Sequence, residues 1–106
     1  MFSFLNKSQD ESIQANGLDA VLDQIQLIDI REPQEVAWGK VKTAQNIPMG
    51  ELLNMPERYL KKDEKYYIMC QSGMRSMRTV KALKEKGYQV VNVQGGMSAY
   101  TGKNRS

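Results

Sequence analysis

The chain has 106 residues, enough for one domain but not for a second hydrophobic core. Its 41% hydrophobic and 25% charged residues are those of an ordinary globular protein, and a net charge of +3, spread thinly, excludes a nucleic-acid footprint. One cysteine and no histidine exclude an intrachain disulfide and the common zinc patterns, so no metal or cofactor is expected.

Residues 1–11 read as a flexible tail, polar after Leu5, with Phe2, Phe4 and Leu5 as at most a packing strap. Met1 to Lys7 is too short and weakly apolar for a secretory leader, and no stretch approaches the roughly 20 apolar residues of a membrane span. A reduced thiol suits the cytosol, so a cytoplasmic location without a membrane partner is expected. Residues 12–101 form the expected domain, and 102–106 a short polar tail.

Gly17 to Leu22 predicts a short helix with Leu18, Val21 and Leu22 on one face. Leu27 to Ile30 is a strand. Pro33 suits the first position of a helical turn running to Trp38, because its missing N–H is not needed there, and Gly39 ends that turn. Trp38 is expected in the core, with its indole N–H needing a partner. Met49 to Leu53 starts another helical piece, Pro56 to Leu60 continues it or begins a new one, and Lys61 to Lys65 is a charged turn. Tyr66 to Cys70 is apolar without alternation, the mark of a strand covered on both faces. Arg75 to Lys86 has helical spacing, with Met77, Val80 and Leu83 as a buried stripe and Gly87 at the position after the helix end. Val90 to Val93 is the last strand. Strands alternating with helices imply an α/β fold with a mostly parallel central sheet flanked by helices, whose ligands gather at the carboxyl ends of the strands.

Cys70 lies at such an end, where a buried strand passes through Gln71, Ser72, Gly73 and Met74 into a helix. A thiol facing helix-terminal N–H groups is placed to ionise. Lowering its pKa from about 8.5 to roughly 6.5 takes about 2.7 kcal/mol of preference for the anion. A helix N-terminus supplies roughly 0.3–1 kcal/mol, about 2 when partly buried. A guanidinium about 5 Å away adds roughly 3 kcal/mol at an effective dielectric near 20. Arg75 together with the loop amides therefore suffices to activate Cys70. Gly73 gives the loop a positive φ, so that successive amides turn inward. Ser72 and Ser76 can donate hydroxyls, and Met74 is a rim residue. Asp29 reads as a cap for nearby loop amides, and Arg31 as a side chain that either reaches the rim of the site or makes a surface salt bridge with Glu32 or Glu35.

Cys70-Gln71-Ser72-Gly73-Met74-Arg75-Ser76 resembles the active-site loop of rhodanese-like sulfurtransferases. Leu27 to Pro33 resembles that family's second strand and turn, Glu35 to Val41 with Ala44 to Pro48 its crossing toward the next helix, and Gly87-Tyr88 with Val93 to Tyr100 its C-terminal strand and glycine pair. The resemblance runs in order from about Ile13 to Tyr100 and departs from the family at Lys40, where histidine is usual, at Gln71, often basic, and at Tyr100, commonly tryptophan. It implies a three-layer rhodanese-like fold and sulfur transfer through a Cys70 persulfide, with Gln71 to Ser76 and Arg31 holding the substrate. The implied partners are a small sulfur donor such as thiosulfate and a thiol or protein acceptor. Two other classes share the resemblance: a rhodanese-like binding module without catalysis, and small phosphatases or arsenate reductases of the same fold, whose loops are one residue longer. The six residues from Cys70 to Arg75 suit a sulfur atom rather than a tetrahedral oxyanion.

Overall fold

The structure is a computed structural model that describes residues 11–106. The expected tail over residues 1–11, with its Phe2, Phe4 and Leu5 strap, lies outside the described residues except for Glu11. Among the described residues, five strands form one sheet: β1 (Ser12–Gln14), β2 (Leu27–Asp29), β3 (Gln45–Asn46), β4 (Lys65–Met69) and β5 (Gln89–Gln94). Their order is β1-β5-β4-β2-β3 and every pairing is parallel. The helices are α1 (Pro33–Val36), α2 (Met49–Asn54), α3 (Met74–Glu85) and α4 (Gly96–Ala99), with 3-10 segments at Ala15–Ala20, Leu22–Gln24 and Pro56–Arg58. No helix among the described residues is long and apolar enough to cross a membrane.

The sheet is buried on both faces, which is why β4 reads as a continuous apolar run. Its side chains still alternate in space. Tyr66, Ile68 and, just past the strand, Cys70 enter the core layer that holds Leu52, Val80 and Leu83. Met69 enters the opposite layer with Leu18, Leu22 and Met97. Strand parity thus delivers the cysteine to the α3 side of the sheet.

Three expectations are corrected by packing. Gly17 to Leu22 is not one α-helix but two 3-10 pieces joined at Val21, whose φ of −126° turns it off the face. Three residues per turn align Ala15 with Leu18, and both are fully buried. Met77 is 41% exposed, and the buried stripe of α3 is Ser76, Thr79, Val80 and Leu83. Steps of three fall behind the 3.6-residue turn, so a Met77–Val80–Leu83 line drifts off the buried face. Trp38 is 91% exposed rather than in the core. The single turn α1 buries no residue of its own, so no apolar surface is there to receive the indole. By contrast, Gly87 ends α3 as expected, with φ +95° and the N–H groups of Gly87 and Tyr88 donating to Lys84 O and Leu83 O.

β1 and β3 were not visible in the sequence, because strands this short and polar carry no periodic signal. Residues 102–106, read above as a tail, run beside Lys40 to Lys42: Ser106 N–H donates to Lys40 O, and Lys42 N–H to Asn104 O. This path places Arg105 near the carboxyl ends of the strands.

β5 is followed by Gly95 and Gly96, with φ +83° and +56°. A Cβ on Gly96 would collide with the carbonyl oxygen of Cys70 and lie 2.8 Å from the carbonyl carbon of Gln71, both rigid backbone. Gly96→Ala is expected to cost about 2 kcal/mol or more, from left-handed backbone strain plus displacement of the loop. Urea unfolding measures it, and a loss under about 0.5 kcal/mol, the range of an inert surface change, would show that the loop yields freely.

Candidate active site

Two backbone bonds set the shape of the loop between β4 and α3. Met97 N–H donates to Cys70 O at 2.9 Å, and Ser98 N–H to Gln71 O at 2.8 Å. Both donors belong to the first turn of α4, where amides have no partner within the helix. A trans peptide points its N–H opposite its C=O, so holding the Gln71 carbonyl outward turns the Ser72 N–H inward, onto the Cys70 sulfur. Gly73, with φ +100°, continues the turn and donates its own N–H to Sγ at 3.1 Å. Ser76, in the first turn of α3, donates a third N–H at 3.3 Å and holds its Oγ 3.4 Å from Sγ.

Cys70 itself is fully buried. Burial pushes the thiol pKa up, but the Ser76 hydroxyl and the amides of Ser76, Gly73 and Ser72 outweigh it, and the balance lies below the ordinary thiol value. Arg75 acts differently from the expectation. Its guanidinium makes a two-pronged pair with Glu35, at 2.8 and 2.7 Å, and reaches Cys70 only through its charge. The thiol is therefore activated by dipoles first.

Arg31 is 2% exposed and pairs with Asp29 at 2.8 Å. Its remaining donors go to Gly39 O at 2.8 Å, Glu35 O at 3.3 Å and Gln71 Oε1 at 3.0 Å, so every N–H of the guanidinium is engaged. Asp29 also accepts the Arg31 backbone N–H at 3.0 Å, the capping role expected of it. Gln71 spans the gap, accepting from Arg31 and donating from Nε2 to Ser98 Oγ at 3.0 Å. The neutral amide at position 71 thus ties the loop to β2 and α4. Met74 is 55% exposed at the start of α3.

A cavity of about 380 Å3 opens beside Gln71 and is bounded by Arg31, Glu35, Trp38, Ser98 and Arg105 among others. Arg31 and Glu35 are already paired. Arg105 has no carboxylate partner among the described residues. Among the same residues, no three His, Cys, Asp or Glu side chains gather closely enough to hold a metal ion.

The sequence reading missed four of these residues. Glu35 left a usable signal: Glu32 and Glu35 have capping-box spacing around Pro33, and the Glu32 N–H donates to Glu35 Oε1 at 2.9 Å. Asn92, 2.5 Å from Ser76 Oγ, was visible as the polar residue in an apolar strand. Ser98 and Arg105 left none, since chain folding alone brings them to the loop.

A parallel α/β domain that presents a thiol of lowered pKa in a ring of backbone amides has the chemistry to hold an anionic sulfur at a strand end. The chain belongs to the rhodanese-like domain family, which matches residues 14–103. It is 45% identical over 83 residues to "Putative sulfurtransferase YtwF" of Bacillus subtilis, covering 78% of this chain and 80% of that one. It is 33% identical over 97 residues to a protein named "Sulfurtransferase" from Allochromatium vinosum, covering 91% and 88%. The crystal structure of a rhodanese-like domain protein from Staphylococcus aureus superposes with a TM-score of 0.81 at 33% identity, over 91% of this chain and 96% of that one.

The Arg75–Glu35 pair generates a pH prediction. The Arg75 guanidinium, helped by the Glu32 N–H, brings the Glu35 carboxyl down from 4.5 to about 2 against partial burial. A carboxyl with a depressed folded pKa stabilises the fold fully above its unfolded pKa, near 4.3, and loses that contribution as pH falls toward 2. Glu35→Gln should therefore be less stable than the parent at pH 7, with the gap closing between about pH 4.5 and 2. Denaturation across that range measures it, and a gap that stays constant down to pH 2 would contradict the pairing.

Proposed function

We propose that the protein moves sulfane sulfur from a small donor such as thiosulfate to a thiol or protein acceptor through a Cys70 persulfide. The observation that carries the reading is the set of three amides and one hydroxyl converging on Sγ from the six-residue loop Cys70 to Arg75 and from Ser76 just after it. In the first half-reaction the thiolate attacks the outer sulfur of thiosulfate. The donor's S–S bond breaks, its electron pair leaves on sulfite, and a new S–S bond forms on Cys70. In the second, a thiol or, in an assay, cyanide attacks the terminal sulfur, and Cys70 leaves as thiolate. No external oxidant or reductant is needed, and two separate half-reactions give ping-pong kinetics.

The loop amides of Ser72, Gly73 and Ser76 serve each anionic sulfur in turn as fixed dipoles. With no histidine in the chain, the cradle alone maintains the thiolate. Gln71 and Arg31 brace this cradle, and Met74 forms part of its rim. Arg75 contributes positive charge, tempered by Glu35. The cavity beside Gln71, with Arg105 lacking a carboxylate partner among the described residues and with exposed Trp38, suits an anionic donor or the body of an acceptor. A free thiol of this kind works in a reducing compartment such as the cytosol.

Incubation with thiosulfate should raise the intact mass by one sulfur, about 32 Da, and cyanide should return it. Cys70→Ser should show no such adduct. A mass that never changes would make the domain a binding module, and a labile adduct on Cys70→Ser would move the sulfur elsewhere.

The same six-residue loop should give no Cys70-dependent hydrolysis of aryl phosphates, because three equatorial oxygens need a wider ring of donors than one sulfur. Robust phosphate hydrolysis alongside absent sulfur transfer would overturn the reading.

A further inference from the structure

Asn92 is the one polar side chain among the buried residues of β5, whose neighbours Val90, Val91 and Val93 are apolar. Asparagine is unfavourable in a strand, and burying its amide is costly without partners. Parity turns it with Val90 toward α3, opposite Ile68 of β4. There its Oδ1 lies 2.5 Å from Ser76 Oγ, the same hydroxyl that stands 3.4 Å from Cys70 Sγ.

That hydroxyl carries one proton and has three acceptors in reach: Asn92 Oδ1, Gly73 O at 3.1 Å, and the sulfur when ionised. Ser76 is fully buried and Asn92 is 7% exposed, so bulk water does not fill the gaps. While Cys70 is a neutral thiol, its S–H donates to Ser76 Oγ, and Ser76 gives its proton to Asn92 Oδ1. A thiolate has no proton to give and needs one more donor. When Ser76 turns its proton to Sγ, its lone pairs face a carbonyl oxygen at 2.5 Å, which is repulsive. A half-turn of the carboxamide replaces that oxygen with an N–H donor, and asparagine's terminal torsion has two wells for it.

We propose that Asn92 is a positioning residue for Cys70, its carboxamide accepting from Ser76 when Sγ is neutral and donating to Ser76 when Sγ is anionic. The role rests on Cys70 as the nucleophile of the proposed function, and it follows the transfer cycle. In the free enzyme the charge sits on Sγ and holds the Ser76 proton. In the persulfide the charge moves to the terminal sulfur, Sγ becomes a neutral bridge, and the proton returns to Asn92 or to Gly73 O. Aspartate there could only accept, and leucine could do neither.

The charged groups nearest the site are paired: Arg75 with Glu35 from α1, and Arg31 with Asp29 from β2. Across β1, Asn92 faces neutral Ser12, and its backbone N–H donates to the Glu11 carbonyl. The partners of the Asn92 carboxamide are thus uncharged.

The unmodified protein, labelled with 15N, provides the first test. The Asn92 side-chain N–H signals should titrate with the pKa that iodoacetamide alkylation reports for Cys70, and this movement should be largely lost in Ser76→Ala. In the second test, Asn92→Asp should raise the Cys70 pKa by about one unit, since it holds the Ser76 proton, and Ser76→Ala should remove most of that difference. Asn92→Thr, whose hydroxyl both donates and accepts, should stay within about half a unit of the parent. Asn92 signals indifferent to Cys70 ionisation, or an Asn92→Asp shift unchanged by Ser76→Ala, would overturn the proposal. A parent thiol titrating at about 8.5 would instead strike the activated-thiol reading, while the coupling between Asn92 and Cys70 would still be read from the signals.

Discussion

The capture of two loop carbonyls by the first turn of α4 is the constraint on which the site depends. Met97 and Ser98 hold the carbonyls of Cys70 and Gln71, and they do so because Gly96 presents no Cβ at the point of closest approach. Peptide planarity then converts an outward carbonyl into an inward amide. The glycine pair after β5 therefore shapes the surroundings of the Cys70 sulfur without touching it. Parallel strand ends bring the loop after β4 and the helix after β5 side by side, so the close approach follows from the topology.

Charge is distributed so that the cradle works mainly through dipoles. Two of the arginines close to the loop are matched by carboxylates: Arg31 by Asp29 in the interior, Arg75 by Glu35 near the surface. An arginine with every donor engaged is a strut, and Arg31 braces Gln71 and α1 in that manner. Amides fixed in the backbone need no reorganisation when charge appears on a sulfur atom, whereas a mobile guanidinium must be ordered first. On the proposed sulfur transfer, this arrangement suits a chain without histidine, where no imidazole shares the task.

The exposed Trp38 and Met74 lie on either side of the same loop, Trp38 beyond α1 and Met74 at the start of α3. Large apolar groups left in water forgo about 1.5–3 kcal/mol each relative to burial. Trp38 borders the cavity and gives it an apolar side beside polar Gln71 and Ser98, and Arg105 is added by the run of residues 102–106 beside Lys40 to Lys42.

Periodicity and turn chemistry made much of the fold legible. The unbroken apolar run to Cys70, the helical spacing after Arg75 and the glycine at position 87 identify a buried parallel strand, a helix and its end, and all three stand where expected within a residue or so. The resemblance of the loop pointed to the family that the match over residues 14–103 establishes. Local pattern could not place what is decided by contact. Trp38 looked like core because it is hydrophobic, but exposure depends on whether another surface arrives to cover it. Met77 looked like part of a stripe, while the true stripe includes Ser76 and Thr79, whose polarity hides them from a hydrophobic count and whose hydroxyls find partners in the folded chain. Arg75 was legible as a cation near the cysteine, yet its partner lies 40 residues earlier. The sequence by itself determined where the one thiol stands and which backbone positions can turn around it. Only the tertiary structure decided which dipoles reach the sulfur and which charges are spent on each other, because both depend on distances between segments far apart in the chain.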